Sequence, residues 1–317
     1  MFVQIVVLLA GLVLVVLGAN YLVEGASSLA RRWGMSEFVI GLTIVGMGTS
    51  APEMVVSFIG AVQGNSAVSV GNVVGSNIFN TLLILGLTAL LLPIRVSRVN
   101  RRKDIPVNIG VVVLLILLGL KNTLFHVGTD GLSRWDGAIL LAAFVVYMWS
   151  CFRQQEDLPA DDNAKPLKPW LAVLLVAGGL AALVFGGRLF VNSAVSLARM
   201  LGVSDKFIAI TLLAGGTSLP ELATCVVAAA KKKGQLALGN IIGSNLFNIL
   251  LILGGSALIH PLSFDGITFV DLGTLLASTV VLATACRVGY RNEIDRVDGS
   301  LYLLMWVTYM IYLFLHL

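Results

Sequence analysis

The sequence GMGTSAPEMVV at residues 46–56 places a proline, Pro52, beside a carboxylate, Glu53, inside an otherwise apolar stretch. The sequence GGTSLPELATC at residues 215–225 repeats this arrangement with Pro220 and Glu221. An ionised carboxylate at the centre of a membrane helix costs about 2.5–3.5 kcal/mol on insertion scales. Because that cost is met twice at equivalent positions, the two glutamates are candidate functional residues.

Composition indicates that these stretches cross a membrane. Of 317 residues, 57% are hydrophobic and 12% are charged, and the mean hydropathy is +0.94. A soluble core of this size could not bury so many apolar side chains. We therefore predict an all-α membrane protein with ten transmembrane helices, each near the roughly 20 residues that a bilayer requires. The predicted spans are 2–23, 36–62, 67–92, 105–120, 136–152, 170–191, 206–230, 236–259, 267–286 and 300–317.

Several classes of function are disfavoured by the same sequence. The pI near 9.0 comes from basic residues in short gaps between apolar runs, which favours a topological role over nucleic-acid binding. The three cysteines are scattered and predict neither a disulfide framework nor a zinc site. The three histidines form no catalytic motif, so we expect no enzyme activity. We also expect no cofactor and no protein partner, with membrane lipid around the chain.

Lysine and arginine predict the orientation. With ten spans, sixteen of the 21 basic residues fall on one side of the membrane and five on the other. The five are Lys121, Arg134, Arg188, Arg199 and Lys206. By the positive-inside rule, both termini then lie outside the cytoplasm, and the expected location is the plasma (inner) membrane.

The chain is expected to contain two related halves. A polar cytoplasmic linker at 153–169 separates a first five-helix repeat, 1–152, from a second, 170–317. At an offset of 168 residues, GNVVGSNIFNTLLILG from Gly71 matches GNIIGSNLFNILLILG from Gly239, as the two proline–glutamate motifs match each other. Because each half has an odd number of spans, the second repeat is inverted. Secondary transporters with this architecture bind their substrate near the midplane.

The prolines predict broken helices at the two glutamates. A proline has no N–H to donate, so Pro52 frees the carbonyl of Gly48 and Pro220 frees that of Gly216. Such a break at membrane depth is tolerated where the freed carbonyls line a cavity or meet protein groups. Hydroxyls three and four residues before each glutamate share its helix face, namely Ser50, Thr49, Ser218 and Thr217.

The second repeated motif adds oxygens on the following helices, at Ser76, Asn80, Ser244 and Asn248, whereas interhelical hydrogen bonding is at least as reasonable as ligation for Asn77 and Asn245. Carboxylate, hydroxyl, amide and carbonyl oxygens are ligands for hard cations such as Ca²⁺ or Na⁺. Two neighbouring carboxylates could hold one divalent ion, several monovalent ions or protons.

Two copies of G-T-S-x-P-E, each followed by G-N-x-x-G-S-N-x-F-N, resemble the repeats of the sodium/calcium exchangers in the calcium/cation antiporter superfamily, over essentially the whole chain. The resemblance implies that Ca²⁺ and Na⁺ are the transported ions, with Ca²⁺ extrusion driven by inward Na⁺. It also implies that the first and sixth helices slide across a fixed core. The ligands implied for a shared metal site are Glu53, Glu221, Thr49, Ser50, Thr217, Ser218, Ser76, Asn80, Ser244, Asn248 and the backbone carbonyls of Gly46 and Ala214.

One position departs from several members of this family. They carry Asp where this chain has Asn248, which weakens the case for K⁺ co-transport and for a third protonatable acid. The complete T-S-x-P-E motif favours Na⁺ over H⁺ as the counter-ion, and the short linker favours a prokaryotic type. The alternatives are a H⁺/Ca²⁺ or other cation antiporter of the same fold, a cation channel and an intramembrane enzyme.

Overall fold

The structure is a computed structural model that describes residues 1–126, 128–153, 167–202, 215–288 and 292–316. Its helices are α1 (Phe2–Trp33), α2 (Glu37–Thr49), α3 (Ala51–Val62), α4 (Ser66–Leu91), α5 (Ile105–Gly119), α6 (Lys121–Phe125), α7 (Arg134–Phe152), α8 (Pro169–Met200), α9 (Leu219–Ala230), α10 (Gly234–Ile259), α11 (Phe269–Val288) and α12 (Arg296–His316). Wider π-type turns lie at Gly41–Val45 in α2, Phe79–Ile84 in α4 and Asn248–Leu253 in α10, and another, Asn100–Asp104, precedes α5.

The described helices account for seven or eight membrane spans by length and composition. Seven are long and apolar enough on their own, and the bent pair α2–α3 forms an eighth. The other two predicted spans appear as α5, with 15 residues, and α9, with 12, and the residues at 203–214 that precede α9 lie outside the described ranges. The all-helical membrane fold is therefore present, and ten spans with external termini remain a prediction.

Glycines at seven-residue intervals bring α1 and α8 into backbone contact. A Cβ atom at Gly18 would lie 2.8 Å from the Gly179 carbonyl oxygen, and one at Gly186 would lie 2.9 Å from the Gly11 carbonyl oxygen. Because almost no side chain separates the two backbones, these helices pack as closely as small-residue interfaces in membranes allow. Both helices also run about ten residues beyond the apolar runs predicted at 2–23 and 170–191, ending at Trp33 and Met200.

The two repeats are interlocked through their last helices. The end of α10 packs on α7, where a Cβ at Gly137 would lie 2.6 Å from the Gly254 carbonyl oxygen. The end of α4 packs on α12, where a Cβ at Gly299 would lie 2.8 Å from the Gly86 carbonyl oxygen. Gly86 and Gly254 are 168 residues apart, whereas Gly137 and Gly299 are 162 apart. The internal repeat thus continues into the last helix of each half at an offset that sequence analysis did not identify.

Matching side-chain pairs follow the same symmetry. Tyr147 donates a hydrogen bond to Asp104 Oδ1 at 3.0 Å, and Tyr309 donates one to Asp271 Oδ1 at 2.7 Å. Edge-to-face aromatic pairs join the repeats at Phe79–Trp306 and Phe144–Phe247, with ring centroids 5.2 and 5.9 Å apart. Each such pair contributes about 0.5–1.5 kcal/mol beyond area burial.

Short contacts connect loops that the predicted ten-span topology places on the same side of the membrane. Strand β1 (Ile94–Arg95) pairs antiparallel with β2 (Glu293–Ile294), and a single bridge joins Leu132 to Leu262. Lys233 also forms an ion pair with Glu37 at 2.6 Å. These contacts agree with the order of the loops, and the side that faces the cytoplasm stays a prediction.

Most of the described acids at the edges of the predicted spans lie at helix ends. Asp136 and Asp271 cap the first turns of α7 and α11, and Glu37 lies in the first turn of α2. Glu24 is an exception because α1 continues to Trp33 and so contains it well inside the helix, on an exposed face. Asp205 lies outside the described residues.

Candidate functional site

The two glutamates follow matching turns at Ser50 and Ser218. Ser50 interrupts α2 and α3 with φ −79° and ψ 8°, and the pair is bent by 48°. Ser218 precedes α9 with φ −87° and ψ 10°. Pro52 and Pro220 occupy the first turns of α3 and α9, where a missing N–H costs no helical hydrogen bond. The predicted break is therefore present before Pro52, whereas before Pro220 the described residues show only the turn and the start of α9, and the break there remains a prediction.

Each glutamate lies in the first turn of the helix that follows its break. Glu53 in α3 and Glu221 in α9 are both fully buried, with 0% of their surface exposed. The backbone N–H groups of a helix start carry partial positive charge and favour a carboxylate in the first turn. The break therefore offsets part of the cost of burying these acids.

Serines of one repeat hold the glutamates of the other. Ser50 Oγ donates to Glu221 Oε1 at 2.9 Å, and Ser218 Oγ donates to Glu53 Oε1 at the same distance. Ser76 Oγ also donates to Glu53 Oε1, at 3.4 Å, and accepts from Ser218 at 3.2 Å. The two carboxylates are thus brought into one site by a reciprocal exchange of hydrogen bonds across the repeats.

A second group of predicted ligands collects around the Gly46 carbonyl. Thr49 Oγ1 and Ser244 Oγ both donate to that oxygen, at 3.4 and 3.3 Å. Thr49 also donates to Asn240 Oδ1 at 3.2 Å and lies beside Glu221. This group is continuous with the carboxylates through Thr49.

The amides of Asn80 and Asn248 continue the site by one helical turn beyond Ser76 and Ser244. Asn80 Nδ2 donates to Asn245 Oδ1 at 3.2 Å, and Asn248 Nδ2 donates to Asn77 Oδ1 at 3.0 Å. Asn77 and Asn245 are therefore hydrogen-bonded between helices, the role considered for them as an alternative to ligation.

Within the described ranges, five oxygens of the predicted ligands are buried without a hydrogen-bond partner. They are Glu53 Oε2, Glu221 Oε2, Asn80 Oδ1, Asn248 Oδ1 and Thr217 Oγ1. A buried polar atom without a partner costs about 1–3 kcal/mol, and more if it is charged. Four of these atoms lie in the helices α3, α4, α9 and α10, and the fifth lies in the turn before α9, so each is an acceptor oxygen that the described protein groups leave free.

Eleven of the twelve predicted site residues are described, and they group around the two glutamates as given above. The twelfth, Ala214, lies outside the described residues. Sequence analysis missed Asn240 and its repeat partner Asn72, which donates to Glu53 O at 3.1 Å and to Ser57 Oγ at 3.0 Å. Each is the second residue of its G-N-x-x-G-S-N motif, and the internal repeat contains this asparagine twice, as it does the predicted ligands.

Soft ligands do not enter the described part of the site. No group of three or more His, Cys, Asp or Glu residues gathers within the described ranges. Cys225, four residues after Glu221, is buried. Its sulfur accepts from Asn240 Nδ2 at 3.2 Å and contacts the Ala237 carbonyl at 3.7 Å. The described residues of the predicted site therefore offer oxygen atoms of the kind that hard cations prefer.

The long helix α8 covers the two breaks differently. Beside the first break, a Cβ at Gly48 would lie 2.7 Å from the Leu180 side chain, so α8 lies directly on that turn. Beside the second, a cavity of about 140 Å³ separates Phe190 and Ala194 of α8 from Gly215 and Leu219. Ser50 and Ser218 thus have similar backbone angles, and the described part of α8 lies closer to the first turn than to the second.

Comparisons with known proteins agree with this geometry. The family model described as "Sodium/calcium exchanger protein" matches residues 3–153 and 171–315. The chain is 40% identical over 325 residues to the putative antiporter CaxA of Alkalimonas amylolytica, covering 99% of both proteins. It is 33% identical over 348 residues to the sodium/calcium exchanger MaX1 of Methanosarcina acetivorans, covering 98% of this chain and 99% of the relative.

The fold is also that of a solved exchanger structure. A structure of the sodium-calcium exchanger NCX_Mj soaked with Na⁺ and Sr²⁺ superposes with a TM-score of 0.84 at 32% identity, covering 97% of each chain. With the family model matching both halves and two full-length relatives above 30% identity, the chain belongs to the sodium/calcium exchanger family and is a multi-pass membrane cation antiporter of prokaryotic type, not an enzyme.

Proposed function

We propose that the protein exchanges Na⁺ for Ca²⁺ across the plasma (inner) membrane by alternating access to the site between Glu53 and Glu221. The observation that carries this proposal is the set of five buried, unpartnered acceptor oxygens in that site. Ca²⁺ takes six to eight oxygen ligands, and the site offers carboxylate, hydroxyl, amide and carbonyl oxygens together.

Charge supports a divalent ion or several Na⁺ ions as the cargo. Glu53 and Glu221 supply two negative charges, and the partners that hydrogen-bond to them are neutral serines. One Ca²⁺ would neutralise the pair, and Na⁺ ions could do so in its place. Because both ions need the same two carboxylates, they compete for the site, which is the requirement for exchange.

The contacts of α8 with the two turns support alternating access. Leu180 packs on the first turn at Gly48, whereas among the described residues a cavity separates α8 from the second turn at Gly215. Under the predicted topology, movement of the close-packed pair α1–α8 along the core would uncover the first turn and cover the second. The antiparallel backbone contact of the pair favours its moving as one body.

The counter-ion is tested in proteoliposomes that contain the purified protein. An outward Na⁺ gradient is expected to drive ⁴⁵Ca²⁺ uptake, and a pH gradient without Na⁺ is not. The complete T-S-x-P-E motif in both repeats is the reason to expect Na⁺. Uptake that follows the pH gradient and ignores Na⁺ would replace Na⁺ with H⁺ as the counter-ion.

The site is tested by removing one charge at a time. Glu53→Gln and Glu221→Gln are each expected to abolish exchange, because a neutral amide leaves one carboxylate to balance the cation. Both variants should still fold, since a neutral side chain is cheaper to bury than an acid. Glu24→Gln removes a carboxylate from an exposed face of α1 and is the matched control. Near-normal exchange in either site variant would refute the assignment.

A further inference from the structure

The hydrogen bonds of Asn77 leave only one orientation for the amide of Asn248. Asn77 Nδ2 donates to the backbone carbonyl of Asn245 at 3.1 Å. A carbonyl oxygen can only accept, so the Asn77 NH₂ group must face it. The oxygen of Asn77 therefore faces Asn248, which must present its own NH₂ group there, at 3.0 Å. The Asn248 oxygen is consequently the atom that points away from Asn77.

A second pair of bonds surrounds Asn80. Asn245 donates through Nδ2 to Thr81 Oγ1 at 2.8 Å and accepts from Asn80 Nδ2 at 3.2 Å. Because the Thr81 hydroxyl can donate as well as accept, it does not fix the orientation of Asn245, so only the Asn77–Asn248 pair has a fixed orientation. Among the described residues, the Asn248 oxygen has no hydrogen-bond partner. All four side chains are at most 1% exposed, so water does not compete for these bonds.

Orientation matters because the two ends of an amide have almost the same shape and opposite chemistry. The oxygen end attracts a cation, and the NH₂ end repels it. Nothing in the size of Asn248 selects one end, so the hydrogen bonds of its neighbours must do so. A carboxylate at this position, with two equivalent oxygens, would need no such selection.

We propose that Asn77 is a positioning residue that turns the amide oxygen of Asn248 toward the transported cation. Asn77 itself does not contact the ion. This inference rests on the proposed function, since it requires a cation between the two glutamates. Groups that orient a metal ligand in this way typically contribute about 10- to 100-fold to metal affinity.

The test is a cycle of three variants: Asn77→Leu, Asn248→Asp and the double variant. The half-saturating Ca²⁺ concentration for exchange is measured for each, with equilibrium ⁴⁵Ca²⁺ binding to the purified protein as a second readout. Asn77→Leu should raise that concentration about 10- to 100-fold in the native background. In the Asn248→Asp background it should not raise the concentration, and it should lower it if anything, because the Asn77 oxygen that faces the new carboxylate is removed. A carboxylate at this position presents an oxygen at either end.

The matched control is Asn108→Leu. Asn108 in α5 is also 0% exposed, and its Nδ2 and Oδ1 atoms have no hydrogen-bond partner. The same substitution there should leave Ca²⁺ affinity unchanged. If Asn77→Leu fails to assemble as judged by size-exclusion chromatography, Asn77→Ser replaces it, because a hydroxyl both donates and accepts and so cannot select one orientation.

The outcomes separate the two levels of the proposal. A wild-type protein without Ca²⁺ binding or exchange overturns the proposed function and this inference with it. A wild-type protein that exchanges Ca²⁺, together with an Asn77 variant of unchanged affinity, overturns the inference alone. An equal loss of affinity in the native and Asn248→Asp backgrounds does so too, because it would mark Asn77 as a packing residue. Loss confined to the native background supports the inference.

Discussion

Two adjacent glycines in α8 offer a direct test of the backbone contact between the long helices. Gly179 and Gly178 are neighbours in the same helix, yet only Gly179 faces α1. A Cβ atom at Gly179 would lie 2.7 Å from the Leu22 backbone nitrogen and 2.8 Å from the Gly18 carbonyl oxygen. A Cβ at Gly178 would meet nothing within 4 Å. Alanine at the two positions is the same chemical change in different surroundings.

The expected difference follows from these distances. Both atoms that the Gly179→Ala methyl group would meet are backbone atoms, so no side chain can rotate away and the helices must separate by several tenths of an ångström. Overpacking of this kind costs about 1–3 kcal/mol. Gly178→Ala instead gains up to about 1 kcal/mol, because alanine is the better helix former. The two variants should therefore differ by about 1–4 kcal/mol in free energy of unfolding.

Thermal unfolding of the purified protein in detergent, followed by size-exclusion chromatography with fluorescence detection, measures this difference. Gly179→Ala should have the lower Tm by several degrees, and Gly178→Ala should match or exceed the unmodified protein. The two variants carry the same added methyl group, so differences in expression or composition cannot explain the result. Equal Tm values would refute the close contact between α1 and α8.

Two further predictions concern polar contacts. Tyr147→Phe should cost about 1–3 kcal/mol of stability because buried Asp104 loses a donor at 3.0 Å, and thermal unfolding checks this against Tyr312→Phe, whose hydroxyl makes no described hydrogen bond. Hydrogen bonds from the hydroxyl and N–H of Thr123 hold the pKa of the Asp130 carboxyl below its ordinary value of 3.8. The contribution of this cap to the Lys121–Phe125 turn is therefore present above that value and lost as the pH falls through the lowered pKa, so a ¹³C NMR titration midpoint at or above 3.8 would contradict the assignment.

Much of the site could be predicted from the sequence because its signals are local or repeated. Pro52 and Glu53 mark a break and a charge within two positions, and the same pair recurs 168 residues later. Helical spacing then places Thr49 and Ser50 on the face of Glu53. These inferences need only the chain itself, since a proline has no backbone N–H to donate whatever lies beside it.

The pairing between repeats could not be predicted in this way. Helical periodicity states which residues share a face, but not which helix meets that face. Spacing alone allows Ser50 to act together with Glu53, which is near it in the sequence. In the structure, Ser50 donates a hydrogen bond to Glu221 instead. The interlocking of α7 and α12 with the opposite repeat was likewise missed, because the offset of the repeat changes from 168 to 162 before the last helix.

The sequence by itself determined a membrane protein built of two halves, with a broken helix and a buried acid in each. Composition, proline chemistry and internal repetition are properties of the chain that no packing arrangement alters. Only the tertiary structure decided that the acids meet, that serines cross between repeats to hold them, and that Asn77 turns the Asn248 oxygen away from itself. Those outcomes depend on which helix faces meet and on donors and acceptors a few ångströms apart, which no pattern within one helix specifies.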